Sequence, residues 1–171
     1  MDKRLLSSTI LASLVVAIGL GCGKKGMEPE DIADGNFEAT VSGSINLKLN
    51  GCASFVSVPG GYFQLALLPI SSSGLDALLT LARGNSSVPG VGTYNISEED
   101  ASNSPQDFVG LFSQSSDIFL SQSGSLNVTS SNPPDRFAGS FTFTATNGAS
   151  QTVTISGKFN AKSGPCTSQQ P

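Results

Sequence analysis

The sequence contains no histidine and no tryptophan, and only 13% of its 171 residues are charged. Without histidine the commonest general base and metal ligand are missing. Ser-His-Asp and Cys-His catalysis are thereby excluded. Basic residues are scarce: nine Lys and Arg against thirteen Asp and Glu give a net charge of -4. No basic stripe is present to follow a phosphate backbone, which argues against nucleic acid as a partner. There is no Gly-rich phosphate loop with its lysine, and no cofactor is expected. No internal repeat of roughly 20–50 residues is found. Gly, Ser, Thr and Asn are plentiful instead, a composition suited to an extracytoplasmic β-protein.

The first residues read as targeting. Lys3 and Arg4 form a short positive start, Leu5 to Leu20 runs without a charge, and Gly21 and Cys22 follow. A positive start, an apolar centre and small residues before a cut describe a secretory signal. The alternative, an uncleaved membrane helix, needs roughly 20 apolar residues, and this run ends in Gly-Leu-Gly-Cys-Gly, a poor helical continuation. The residues Gly19-Leu20-Gly21-Cys22 resemble the bacterial lipobox cut by signal peptidase II, departing from it at Gly19, where leucine is usual. Gly19 and Gly21 also suit ordinary signal peptidase, which would release a soluble product. The lipobox resemblance implies that Cys22 carries a thioether-linked diacylglyceryl group and a palmitate-type N-acyl chain. Several chains anchor stably where one is marginal. Gly23 after the cysteine is compatible with the outer membrane, so the expected address is the cell envelope, with the membrane as partner through the lipid.

Three cysteines, Cys22, Cys52 and Cys166, are an odd number for an exported chain. Lipidation removes Cys22 from the count and leaves Cys52 and Cys166 to pair in an oxidising compartment. The alternative is two unpaired buried thiols. A bridge closing a loop of that length stabilises by about 4–5 kcal/mol on the chain-entropy model. The expected organisation is a signal over 1–21, a lipidated cysteine and polar tether over 22–36, a domain over 37–167 and a tail over 168–171. Lys24 and Lys25 in the tether are placed to meet anionic lipid or to be merely solvated.

From Phe37 the period is two. Ile45, Leu47 and Leu49 alternate with Asn46, Lys48 and Asn50. Phe137, Gly139, Phe141, Phe143 and Ala145 oppose Ser140, Thr142, Thr144 and Thr146, and Val153, Ile155, Gly157 and Phe159 oppose Thr152, Thr154, Ser156 and Lys158. This is the apolar-in, polar-out alternation of antiparallel strands. Turn signals fall at Asn50-Gly51, Pro59-Gly60-Gly61, Pro89-Gly90, Asn132-Pro133-Pro134-Asp135 and Asn147-Gly148, the last marking a hairpin. The expected fold is all-β, a single antiparallel β-sandwich or open barrel of about 8–10 strands. Ser73 to Arg83 fits either a helix, through Leu75, Leu78, Leu79 and Ala82, or a strand, through Ala77, Leu79 and Leu81. A strand suits its surroundings. Ser97-Glu98-Glu99-Asp100 resembles a capping box and predicts one helical turn.

Gly139, Phe141, Phe143, Ala145, Gly157 and Phe159 resemble the C-terminal hairpin pattern of small uncharacterised lipoproteins of Gram-negative bacteria, and Gly92-Thr93-Tyr94 resembles an internal Gly-Thr-Tyr strand start of the same group. The resemblance covers about a quarter of the chain and implies a β-sandwich lipoprotein without implying an activity.

Candidate chemistry is sparse. Glu98, Glu99, Asp100, Asn103 and Asp107 supply hard oxygen ligands for Ca²⁺, without the spacing of an EF-hand; a solvated acidic loop explains them more simply, and no metal is expected. The same carboxylates are a poor acid–base pair, since they share one environment. Serine is abundant beside Lys48, Lys158 and Lys162, but no Ser-x-x-Lys motif occurs. Tyr62, Tyr94, Phe108, Phe112 and Phe119 are candidates for a binding face or, more simply, core. The expectation is a non-enzymatic envelope lipoprotein, a binding or structural module with an envelope protein or glycan as partner. The alternatives are a secreted carbohydrate-binding or adhesive sandwich and a hydrolase that works without histidine.

Overall fold

The computed structural model describes residues 32–70, 77–98 and 106–166. Nine strands follow one another: β1 (Asn36–Gly43), β2 (Leu47–Ser57), β3 (Phe63–Pro69), β4 (Ala77–Arg83), β5 (Gly92–Ser97), β6 (Phe108–Gln114), β7 (Asp117–Asn132), β8 (Arg136–Thr146) and β9 (Thr152–Ser163). They form one sheet in the order β1-β2-β3-β4-β6-β5-β7-β8-β9, and β9 pairs again with β1, so the sheet closes into a barrel. Pairing is antiparallel except for short parallel contacts of β5 with β6 and of β2 with β9. The all-β expectation is met, and the ambiguous segment is strand over Ala77–Arg83.

The period-two pattern explains the closure. Phe37, Ala39 and Val41 of β1 point inward, as do Phe137, Phe141, Phe143 and Ala145 of β8 and Val153, Ile155 and Phe159 of β9. All ten phenylalanines are buried. Their rings pack in tilted and edge-on pairs, Phe63–Phe137 at 5.1 Å and Phe137–Phe159 at 5.3 Å between centroids, geometries that aromatic quadrupoles favour. The interior is therefore a packed core, and the aromatic-in arrangement is the reverse of a lipid-spanning barrel, which is polar within. No helix among the described residues is long and apolar enough to cross a membrane.

β7 is long enough to serve two neighbours. Its first residues pair with β6 and Ser123 to Val128 pair with β5. Register shifts between Ser121 and Ser123, and between Val128 and Ser130, bend it between these tasks. At the handover the buried Ser121 hydroxyl accepts from the Gly110 amide at 2.9 Å and donates to the Ser97 carbonyl. One hydroxyl thus satisfies two backbone groups that the strand exchange leaves without a ladder partner.

Two local expectations are corrected. Asn50-Gly51 is no turn but lies inside β2. A side chain at Gly51 would overlap the Leu68 carbonyl of β3 and come within 2.9 Å of the Pro69 Cα, so glycine serves close strand approach there. The turn lies earlier, at residues 44–46. Asn147-Gly148 does begin a hairpin connection, but one of residues 147–151 in which Ser150, not the glycine, takes positive φ. The Asn147 carboxamide accepts from the amides of Ala149 and Gln151 and so shapes the loop. The turn at Pro59-Gly60-Gly61 is as expected, with Gly60 at φ 71°. The folded unit also begins before Phe37: Ile32 is buried, and the buried Asn160 side chain donates to the Ile32 carbonyl and to Asp34.

Candidate functional site

Strand directions put the turn 58–62, the loop 84–91, the turn 133–135, the start of β1 and the end of β9 at one mouth of the barrel. The loop 84–91 is tied across this mouth. Ser57 donates to the Ser86 carbonyl, Tyr94 to Gly90 at 2.9 Å and Ser131 to Pro89 at 2.7 Å. Arg83, the last residue of β4, points inward beneath it with 4% exposure. β4 and β5 share no ladder among the described residues, and the guanidinium fills the seam between them. It lies 5.5 Å from the ring centroids of both Tyr94 and Phe108 and donates to the Ser87 carbonyl at 2.6 Å. Burial pushes it below the ordinary arginine value, and Tyr94 partly offsets that. Its Nε has no hydrogen-bond partner. With Nη2 donating to both the Ser87 carbonyl and hydroxyl, Nη1 to the Gln106 side chain, and the rings of Tyr94 and Phe108 beside it, Arg83 acts as a plug that fastens 84–91 to the barrel.

A concavity lies outside, on β8, β9, β1 and β2. A groove of about 670 Å³ is lined by Glu38, Thr40, Lys48, Asn50, Ser156 and Lys158, among others. Register brings them together: Glu38 faces Asn50 on one side and Lys158 on the other, while Thr40 faces Lys48 and Ser156. At Gly157, which also lines it, a Cβ would point inward and stand 2.6 Å from both the Glu38 carbonyl oxygen and the Phe141 ring, so glycine allows close packing of β9 on β1 and β8 there. Two ammonium groups flank one carboxylate among hydroxyls and a carboxamide. Such a surface holds a polar ligand by hydrogen bonds and ion pairing in open water, where each pair contributes little alone. Ser140 stands opposite Lys158 in the ladder, but Lys158 is half exposed and no hydrogen bond joins the two. An activated serine requires a desolvated lysine.

Comparison with protein-family models, with curated proteins and with solved structures returns no match for this chain.

The sequence candidates distribute as follows. Cys52 and Cys166 are joined, with Cα atoms 5.9 Å apart and a separation of 114 positions in sequence. A second groove, of about 650 Å³, runs past the bridge between Leu68, Ile70 and the Asp34–Lys162 ion pair. Cys22, Glu99, Asp100 and Asn103 lie outside the described residues, as does half of the capping box. Glu98 is exposed, and Asp107 accepts from the Asn95 side chain at 3.4 Å. No cluster of three or more candidate metal ligands occurs among the described residues. Phe108, Phe112 and Phe119 do not line a binding face: each is fully buried, because it occupies an inward position of its strand. Tyr94 packs edge-on against Phe108 at 5.8 Å, and Tyr62 alone of the five aromatic candidates is exposed. Sequence reasoning did not single out Arg83 or Glu38. The grouping of Glu38 with Lys158 rests on pairing of the first strand with the last, for which a single chain carries no local signal.

Proposed function

We propose that this chain is a lipid-anchored protein of the bacterial cell envelope whose barrel serves as a non-enzymatic binding or structural module. One observation carries the reading: Cys52 and Cys166 are consumed by their bridge, and the remaining cysteine stands in Gly19-Leu20-Gly21-Cys22 behind a positive start and an uncharged apolar run. The anchor puts the domain at a membrane, and Gly23 is compatible with the outer one. The groove on β9, β1 and β2 is the binding surface, and its mixed charges and hydroxyls suit a polar partner, an envelope protein or a glycan. Intact mass of the chain extracted from membranes of a Gram-negative host, before and after reduction, tests the anchor. A species starting at Cys22, heavier by a diacylglyceryl and an acyl group and gaining two hydrogens on reduction, is the expected result. A mature chain without lipid would refute the anchor and move the protein to soluble secretion.

A further inference from the structure

We propose that the mouth of the barrel formed by the turn 58–62 and the loop 84–91 docks onto the lipid bilayer, holding the barrel upright on the membrane. The inference rests on the anchor reading for its source of membrane and adds an orientation and a contact surface to it. Three observations converge on this mouth. First, it is where the chain enters the fold. Ile32, the first described residue, is held there by Asn160, and Gly35 donates to the Asn160 carbonyl. Ile32 follows Cys22 by ten positions, which limits the distance between lipid and barrel to roughly 35 Å even at full extension. Second, two of the connections at this mouth are free of charge, Val58-Pro59-Gly60-Gly61-Tyr62 and Gly84-Asn85-Ser86-Ser87-Val88-Pro89-Gly90-Val91, while its charges, Asp135 and the Asp34–Lys162 pair, stand on the turn 133–135, the start of β1 and the end of β9. Third, these two connections present apolar side chains to solvent without a partner among the described residues. Val91 is 69% exposed, Tyr62 45% and Val58 37%. Tyrosine with an apolar ring and a polar tip is the side chain that settles at the headgroup boundary.

The two loops move as one because Ser57 of the hairpin donates to Ser86 of the loop, and Arg83 locks the loop to the barrel beneath. A rigid rim inserts without having to order itself first, so its few apolar residues are used efficiently. Alone they would bind weakly, as a single short acyl chain does. Beside a fixed anchor, the second contact is intramolecular and its effective concentration is high. Lys24 and Lys25 lie within the same short span and favour anionic headgroups.

The absence of tryptophan makes the test direct. Tyr62→Trp places a single fluorophore on the proposed contact, and Ile118→Trp places one on the exposed opposite mouth. Each variant of the mature chain is coupled through Cys22 to a maleimide lipid in phosphatidylethanolamine–phosphatidylglycerol vesicles with brominated acyl chains. This arm does not depend on whether a cell lipidates Cys22, which the mass measurement decides separately. The expected result is a blue shift and at least twofold bromine quenching for Tyr62→Trp, with neither for Ile118→Trp. Equal quenching of both, quenching of Ile118→Trp alone, or emission of Tyr62→Trp unchanged from the uncoupled protein would overturn the docking. Matching circular dichroism of the two variants in solution shows that each probe reports on the folded barrel.

Discussion

On the wall formed by β8, β9 and β1, the outward positions carry hydroxyls and charges: Thr142 and Thr144, Thr154, Ser156 and Lys158, Glu38 and Thr40. On the wall formed by β3, β4 and β6 they are mostly apolar: Ala66 and Leu68, Leu78 and Ala82, Val109 and Leu111, beside Gln64, Thr80 and Ser113. The inward faces of the two walls are equally apolar. The first wall links neighbouring strands through side chains, as in the Thr142–Ser156 contact at 2.8 Å and the Ser123–Thr144 contact at 3.2 Å. The second has apolar pairs across its ladders, such as Leu111 opposite Leu120. There one hydroxyl, Thr80 Oγ1, is shut from solvent without a partner among the described residues. Cross-strand pairs stabilise both walls, but the first remains compatible with water on its outer side and the second withdraws much of its outer surface from it.

The sharpest way to break this comparison is at the glycines. A side chain at Gly139, in the polar wall, would overlap the Asn127 carbonyl oxygen of β7, a backbone atom with nowhere to move. Gly139→Ala is expected to cost about 3 kcal/mol or more, or to prevent folding. At Gly110, in the apolar wall, the same methyl would meet only the edge of the Phe143 ring at 2.8 Å, and Gly110→Ala is expected to cost about 1 kcal/mol. Equal urea midpoints for the two would remove the distinction between a backbone and a side-chain constraint. Next in size is the covalent link between the end of the chain and β2. Replacing both Cys52 and Cys166 with Ala should lower stability by about 2–5 kcal/mol. In urea, the variant should unfold at the same midpoint with and without reductant, whereas the parent midpoint should fall on reduction.

Smaller effects sharpen the contrast between outer surfaces. Leu111→Ser removes apolar contact from the half-buried outer side and is expected to cost about 1–2 kcal/mol. Thr142→Val on the exposed polar side should stay within about 0.5 kcal/mol. Calorimetric melting of the pair ranks them, and a larger loss for Thr142→Val would mean that the hydroxyl chain carries the barrel. The smallest effect has the opposite sign. Thr80→Val keeps the side-chain shape and removes a hydroxyl that burial leaves unsatisfied, so stability should rise by up to about 1 kcal/mol. A loss on melting would show that the hydroxyl has a partner.

The same two walls explain what sequence reading reached. Thr142 and Thr144 between Phe141, Phe143 and Ala145 spell one buried and one wet face, and β8 and β9 are legible residue by residue. Ala77 to Ala82 is apolar on both faces, so period two and period 3.6 fit it alike. Only the ladders with β3 and β6 decide for strand. Asn50-Gly51 misled for a related reason: a dipeptide that suits a tight turn also suits a place where two backbones crowd. Arg83 carried no sign of its position, since a charged residue at a strand end is ordinarily solvated. Its inward place follows from the parity of Leu79 and Leu81 continued by one step into a seam that β5 leaves open. The groove shared by Glu38, Lys48 and Lys158 needed the register of β9 on β1, which no local pattern encodes.

The clasp at Asn160 has a mechanical meaning. Its side chain donates to Ile32 and Asp34 on one side and accepts from Arg136 on the other, at 3.1 Å. A pull from the N-terminal side reaches this clasp before it reaches β1. Beyond the clasp, β1 lies between the ladders of β2 and β9, and the pull runs along its axis. Those ladders are then loaded in shear, so many hydrogen bonds resist together where peeling would open them one at a time. The Cys52–Cys166 bridge returns part of the load to β2. The fold is therefore braced along β1 against a pull from the N-terminal side, and the clasp stands where such a pull arrives.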